Sequence, residues 1–387
     1  MRKPCYLFLL IFFLNISCSS DDDNHTNNET VSDAFFMLNN LNDENQLIYF
    51  NRNLNSKLEI VGSYGTKGSG GNLDPFREFG VTADPNGSQG SVNFAQNNKF
   101  VLNVNNFDSS FSVFKIHPDK LEFITKQNTD FEYPNSIASA KNVVYILHLF
   151  GGLQGFKIDE NGGLTPIPNA KHQFDSSAIG YVNVSINDSA TKLIVTTLSD
   201  KAYIISLDEN GEFTSIEEND ALRPFGSIFI TEDVVAITRA RLGSVGIYRI
   251  NENNKLILLS EENTEVRGLC WFKTDRLKNY LYGSNTPEGK IFKFNIQNFT
   301  QEVPLVTEST PPPSRNTVIQ GEDTIRYYIF LDLVVTDHYL YVIDPLNERI
   351  DSYKIETNGS LTYDTNTSFK DRPIINTISG GFNGFSN

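Results

Sequence analysis

The chain repeats one unit seven times. In each copy an apolar strand and a polar turn lead to an aromatic-x-aliphatic strand, and an Asp/Asn/Gly-rich turn follows. Leu153-Gln-Gly-Phe156-Lys-Ile158-Asp-Glu-Asn-Gly-Gly-Leu164 is one copy, and Lys201-Ala-Tyr-Ile-Ile205-Ser-Leu207-Asp-Glu-Asn-Gly-Glu-Phe213 is another. The central residues are Phe50, Phe114, Phe156, Ile205, Tyr248, Phe294 and Tyr353, spaced by 64, 42, 49, 43, 46 and 59 residues. A four-stranded propeller blade takes about 40–45 residues, so each interval is one blade and the first and sixth carry insertions. The strands before these anchors, such as Val143-Val-Tyr-Ile-Leu147 and Tyr339-Leu-Tyr-Val-Ile343, are almost continuously apolar, as strands covered on both faces are. The expected fold is all-β, a seven-bladed β-propeller over residues 33–387.

The ends predict how the ring closes. The first repeat opens at Asp33-Ala-Phe-Phe, already in its second strand. The C-terminal Gly380-Gly-Phe-Asn-Gly-Phe385-Ser-Asn387 is similar to the innermost strand of the second repeat, Gly90-Ser-Val-Asn-Phe94. The last strand is therefore expected to complete blade 1 and remove two open sheet edges.

Residues 1–17 read as a signal peptide. Arg2 and Lys3 precede an apolar run, Tyr6 to Leu14, that is too short to span a bilayer as a mature helix. The run ends at Ser17-Cys18, which resembles a lipobox with Cys18 as the lipid-bearing residue. The following Ser19-Ser20-Asp21-Asp22-Asp23 resembles the surface-export signal of Bacteroidota-type lipoproteins, which implies an outer-membrane, cell-surface location. Residues 18–32 are polar and acidic and are expected to form a flexible tether. Cys5 lies in the leader, so Cys270 is the single cysteine of the folded part and pairs with nothing in its own chain. The formal charge is −15; losing Arg2 and Lys3 with the leader leaves −17. So acidic a chain is not expected to bind nucleic acid or anionic headgroups.

The repeats resemble the lactonase-type β-propeller family, which includes 6-phosphogluconolactonase-like and carboxymuconate-cyclase-like proteins. Leu340-Tyr-Val-Ile-Asp344 and Phe156-Lys-Ile-Asp159 with Gly162 and Leu164 carry the resemblance. It implies a propeller and, by extension, lactone or muconate chemistry. Where that family has Pro-His-Ser at the start of inner strands, this chain has Pro134-Asn135-Ser136 and Pro224-Phe225-Gly226-Ser227, so no catalytic residue is carried over.

A ligand site is expected at the mouth of the central channel, on the face shared by inter-blade loops and second-to-third-strand turns. Both insertions, about 62–90 and 304–328, fall in inter-blade connections toward that face. Arginines gather there in an otherwise acidic chain: Arg223, Arg239, Arg241, Arg267 and Arg349, with Arg77, Arg315 and Arg326 in the insertions. Their planar donor forks suit carboxylate or phosphate oxygens. Phe76, Tyr133 and Phe150 interleave with them as expected ligand-binding aromatics. Arg239 and Arg241 alternate around Ala240 and are expected to point to one side. His148, ending the second strand of blade 3, is the one catalytic candidate. Asp159-Glu-Asn-Gly and Asp208-Glu-Asn-Gly read as hairpin turns rather than calcium loops. No cofactor and no metal site is expected. Asp188-Ser189-Ala190 and Asp323-Thr324-Ile325 resemble an exported-protein O-glycosylation motif.

Three functions follow. The first is capture of a small anionic or polyoxygenated ligand, as partner of a TonB-dependent transporter. The second is a lactonase or cyclase, and the third a protein-interaction or adhesion scaffold. Cys18→Ala is expected to abolish fatty-acid labelling and release the protein from the membrane fraction; unchanged labelling would remove the anchor. Replacing Asp21, Asp22 and Asp23 by Ala should keep the lipid but reduce protease accessibility on intact cells.

Overall fold

Strands with two apolar faces need a covering sheet on each side, and the chain meets that need with seven four-stranded antiparallel sheets among the described residues. A computed structural model describes residues 33–71, 86–175, 180–297, 307–310, 318–319, 325–326, 330–369 and 380–386. The leader, Cys18 and the acidic tether lie outside them. Blades 2 to 5 each run in chain order from the innermost strand outward. Their inner strands are Val92–Ala95, Pro134–Ala140, Tyr181–Ile186 and Pro224–Phe229. Blade 6 starts at Leu269–Thr274 and ends on Thr307–Thr310, and blade 7 starts at Leu333–Val335 and ends on Leu361–Ser368. The second insertion thus contains the outer strand of blade 6 as well as a two-stranded hairpin, Val318–Ile319 with Ile325–Arg326.

All seven anchors are buried. At five of them, Phe50, Phe114, Phe156, Tyr248 and Tyr353, the pairing to the outer strand shifts register. Such a bulge bends and twists the outer strand of the blade. The Asp-Glu-Asn-Gly stretches are hairpin turns: Asp159 Oδ1 accepts the Asn161 and Gly163 amides at 2.7 and 2.9 Å, and Asp208 Oδ1 does the same for Asn210 and Glu212.

Blade 1 is completed by the C-terminus. Gly380–Ser386 is its innermost strand and pairs antiparallel with Asp33–Leu38, Asp33 opposite Ser386 and Phe36 opposite Asn383. Gly384 lies where a Cβ would come within 2.6 Å of the Ala34 carbonyl. Phe385 meets Phe94 edge-on at 5.0 Å, and Asn383 Nδ2 donates to Val92 O at 3.0 Å, tying the last strand to blade 2.

Inter-blade bonds recur at fixed repeat positions. The fifth residue of the second strand is Thr196, Thr238 or Ser284 in blades 4, 5 and 6, and each hydroxyl donates to a carbonyl on or just before the inner strand of the next blade: Phe225, Cys270 or Leu331. On the inner strands, Asn93 and Asn383 use Oδ1 to accept the next residue's amide and Nδ2 to reach the following blade. In blade 7 that position is Val334, and Asp332, two residues earlier, accepts Leu333 N on its Oδ1 at 3.0 Å. Burial raises the Asp332 pKa from 3.8 to about 6, against the attraction of Lys273.

Two outcomes test this. Deleting residues 380–387 is expected to destabilise the ring by several kcal/mol, because blade 1 loses its inner ladder and its cover; an unchanged melting temperature would refute closure. Between pH 3.8 and about 6, folded Asp332 holds a proton that the unfolded chain has released, so its contribution to stability falls as pH rises through that window. Asp332→Asn, which removes the charge that burial resists, is expected to stabilise by roughly 1–3 kcal/mol at pH 8 and by much less near pH 3.5, read by denaturant unfolding.

Candidate functional site

The face built from inter-blade connections and second-to-third-strand turns is where the sequence places a ligand, and its centre is filled by the chain itself. The end of the first insertion, Asn86 to Gly90, turns into the ring before blade 2 begins. Ser88 Oγ donates to Asn135 O of blade 3, and the Gln89 amide donates to Val182 O of blade 4 at 3.1 Å. Gln89 Oε1 accepts Phe272 N of blade 6 at 3.1 Å, its Nε2 reaches Ser227 O of blade 5, and its carbonyl takes Ser136 Oγ and Asn183 Nδ2. The Trp271 indole donates to Ser88 O at 2.8 Å. Gln89 therefore touches blades 3 to 6. Gly226 allows the approach, since a Cβ there would meet Gln89 Oε1 at 2.5 Å. Val182, Phe225, Trp271 and Leu331 form a buried apolar cluster beside it.

Around this hub the last residue of the second strand closes its turn in blades 2, 4, 6 and 7. Asn105 Nδ2 donates to Ser110 Oγ, Thr197 Oγ1 donates to Lys201 O, Asn285 Oδ1 accepts Glu288 N, and Asp344 Oδ1 accepts Asn347 N. His148 is the blade 3 member of that set. It is fully buried, with Nδ1 3.1 Å from Gly152 O and Nε2 2.9 Å from Thr129 Oγ1. Burial lowers its pKa from 6.5 to about 4, so at neutral pH the uncharged ring donates from Nδ1 to Gly152 O. Nδ1 thus holds the turn, and Nε2 ties it to the end of the blade 2 outer strand.

Arg239 is the blade 5 member. It is buried, and its Nη1 lies 2.5 Å from Glu261 Oε1, which Ser244 Oγ also reaches. The strand ends there, so the expected alternation with Arg241 fails: residues 240–243 are a turn, and Arg241 is exposed on it. Arg349 is held by the fully buried Asp344 and Asp351, with Nε 3.0 Å from Asp351 Oδ1. Burial, aided by Asp344, raises the Asp351 pKa to about 7 despite that arginine. Arg223 is half-buried against Asp200 and donates to Leu198 O. Each of these three arginines has a carboxylate partner within the fold.

Arg241 and Arg267 differ. Both are exposed, and among the described residues neither guanidinium has an ion-pair or hydrogen-bond partner. They lie on adjoining loops of blades 5 and 6, joined by the Gly268 N to Ala240 O bond at 2.7 Å; Arg223 O accepts the Ala240 amide from the other side. Exposed Leu222 and Leu242 flank them. The aromatics gather elsewhere on the face. Tyr133 is buried with its ring 5.9 Å from Phe107 and 6.2 Å from Phe150, which are 48% and 50% exposed. The structure thus separates the arginines at blades 5 and 6 from the aromatics at blades 2 and 3. Phe76, Arg77 and Arg315 lie outside the described residues, as does Thr324, and the Arg326 side chain is not described. The Ser189 hydroxyl is bonded to Glu232. Cys270 is half-buried. No group of three His, Cys, Asp or Glu suited to a metal occurs among the described residues.

No family model matches the chain, and no curated protein matches its sequence. Solved structures resemble its fold. A candidate 6-phosphogluconolactonase of Bacteroides fragilis is 15% identical with a TM-score of 0.64, over 93% of this chain and 99% of that one. A like-described protein of Bacteroides uniformis is 14% identical with a TM-score of 0.63, covering 91% and 99%. The periplasmic gluconolactonase of Pseudomonas aeruginosa is 10% identical with a TM-score of 0.62, covering 89% and 97%. At these identities the likeness is one of fold.

His148→Ala is expected to cost roughly 1–3 kcal/mol, since it leaves a cavity and unpaired partners in a buried turn. His148→Asn, the residue at the same place in blades 2 and 6, should recover part of that loss. Chemical denaturation of both variants checks it, and equal stabilities would remove the turn-closing role.

Proposed function

We propose that the protein is a cell-surface binding module, lipid-anchored through Cys18, that captures a small anionic or polyoxygenated ligand without turning it over. The observation that supports this reading is the exposed Arg241–Arg267 pair, unpartnered in a protein of formal charge −15. Two unpaired guanidiniums on adjoining loops repel each other, and an anion held between them relieves that repulsion through charge-assisted bonds. The burial of His148 further supports a role without proton transfer. In this reading the lipid on Cys18 and the acidic tether hold the propeller outside the outer membrane, where it passes its ligand to a TonB-dependent transporter.

A thermal-shift screen of sugar acids, phosphorylated sugars and catecholates, followed by calorimetry, tests it. Arg241→Ala or Arg267→Ala is expected to weaken binding about tenfold each, and rising salt should weaken it further. Wild-type affinity in both variants would discard the pair. The fold likeness to the Pseudomonas periplasmic gluconolactonase favours a second reading, lactone hydrolysis. Turnover of gluconolactone that survives His148→Asn would establish that reading with a different catalytic residue.

A further inference from the structure

Just before the inner strand of each of blades 3 to 6, one carbonyl accepts the amide of the residue that follows the second strand. Gly180 and Gly268 hold that position in blades 4 and 6, taking Leu198 N at 2.9 Å and Thr286 N at 3.0 Å, and their φ angles are 63° and 87°. Blade 3 has Tyr133 there instead. Its carbonyl takes Leu149 N at 3.0 Å, and its φ is 56°. A left-handed backbone is unfavourable for a bulky side chain, so blade 3 carries strain that glycine would avoid. Blade 5 bears the same strain at Arg223, whose guanidinium pairs with Asp200.

In blade 3 the strained residue is the floor of an aromatic cleft. Tyr133 is buried, and its ring lies 5.9 Å from Phe107 and 6.2 Å from Phe150, inclined to them at 58° and 62°. Phe107 and Phe150 share one repeat position, two residues past the end of the second strand, in blades 2 and 3. Phe107 is backed by Gly71, where a Cβ would fall 1.4 Å from its ring. Phe150 is steadied through its carbonyl, which accepts Gln173 Nε2 at 2.9 Å. Both rings remain half-exposed.

Rings so steeply inclined offer no flat platform to a planar ligand or a sugar. They suit a compact, rounded group, and the negative potential of aromatic faces suits a cation. The charges nearby agree. Glu132, next to Tyr133, is exposed and has no ion-pair partner among the described residues. Lys126 and Lys171, on the outer strands of blades 2 and 3, are held by Asp108 and Asp130 at 2.9 Å each. The chain as a whole carries −15. We propose that Phe107, Tyr133 and Phe150 form a cage for a small quaternary ammonium cation, with the Glu132 carboxylate at its rim. Such a cation spreads its charge over alkyl groups and needs no hydrogen bond, so aromatic faces satisfy it. A bare ammonium is excluded by its hydration, which the rings do not replace.

The cage is separate from Arg241 and Arg267 and does not depend on their binding an anion. The test titrates the full mature chain with tetramethylammonium and choline by calorimetry. Dimethylbutanol, the uncharged isostere of choline, and ammonium ion are the controls. Both quaternary cations are expected to bind, and both controls to bind about tenfold more weakly or not at all. Phe107→Leu and Phe150→Leu keep apolar bulk but remove an aromatic face, and each should weaken choline binding about fivefold to tenfold. Both positions are half-exposed, so the variants should keep the wild-type melting temperature. Phe150→Trp should bind at least as tightly as the wild type. Glu132→Gln should weaken binding about threefold and flatten its salt dependence. Arg241→Ala should leave it unchanged. Dimethylbutanol bound as tightly as choline, no binding of either cation, or unchanged affinity in both leucine variants would each overturn the proposal. So would loss in Arg241→Ala, which would transfer the ligand to the loops of blades 5 and 6. Phosphatidylcholine vesicles separate a free cation from a lipid headgroup: vesicles that sediment with the protein while free choline does not bind would also overturn it.

Discussion

Every blade of this protein is apolar on both faces, and no blade is stable until it has a neighbour on each side. A ring meets that constraint only when its two ends meet. The ladder between Asp33–Leu38 and Gly380–Ser386 supplies the closure, and the Asn383 bond to Val92 O extends it to the next blade. Around the ring the same requirement is met locally by Thr196, Thr238 and Ser284, each giving its hydroxyl to the following inner strand. Burial supplies the driving force, and these bonds keep buried carbonyls satisfied where one sheet turns its edge to another.

The fold was legible because its signal is periodic. The anchors, the apolar second strands and the displaced final strand all depend on which residue types alternate and how far apart they recur. The site was less legible, because its residues belong to a repeat position whose side chains differ. Asn105, His148, Thr197, Asn285 and Asp344 share one task, closing a turn, with different chemistries, and Arg239 at the same place pairs with Glu261. Taken singly, a histidine or an arginine there resembles a functional group; aligned on the repeat, it resembles its neighbours. Arg239 and Arg349 also find carboxylates close only in space or on the same strand, Glu261 and Asp351, which counting nearby charges does not weigh correctly. The Gln89 hub left no sequence signal, since a polar stretch ending a Gly-rich insertion reads as surface loop. Two free arginines were identified among five named, but their freedom is a property of the fold.

Burial resists two carboxylates of blade 7: Asp332, just before the inner strand, and Asp351, beside Asp344 on the third. Groups kept charged at a cost in stability are where function is most reasonably sought.

The Gln89 segment also sets the order in which the molecule can be made. Its partners lie on four later blades, the farthest bond joining residues 183 positions apart. Blade 1 meanwhile waits for its inner strand from the last residues of the chain. Neither the first blade nor the entrance to the second can reach its final form while the chain is still being synthesised. The middle blades can pair locally as they emerge, but the chain's beginning must remain unfinished until its end arrives. Such a topology has high contact order and folds slowly, and it holds the chain open through synthesis until the whole ring can assemble at once.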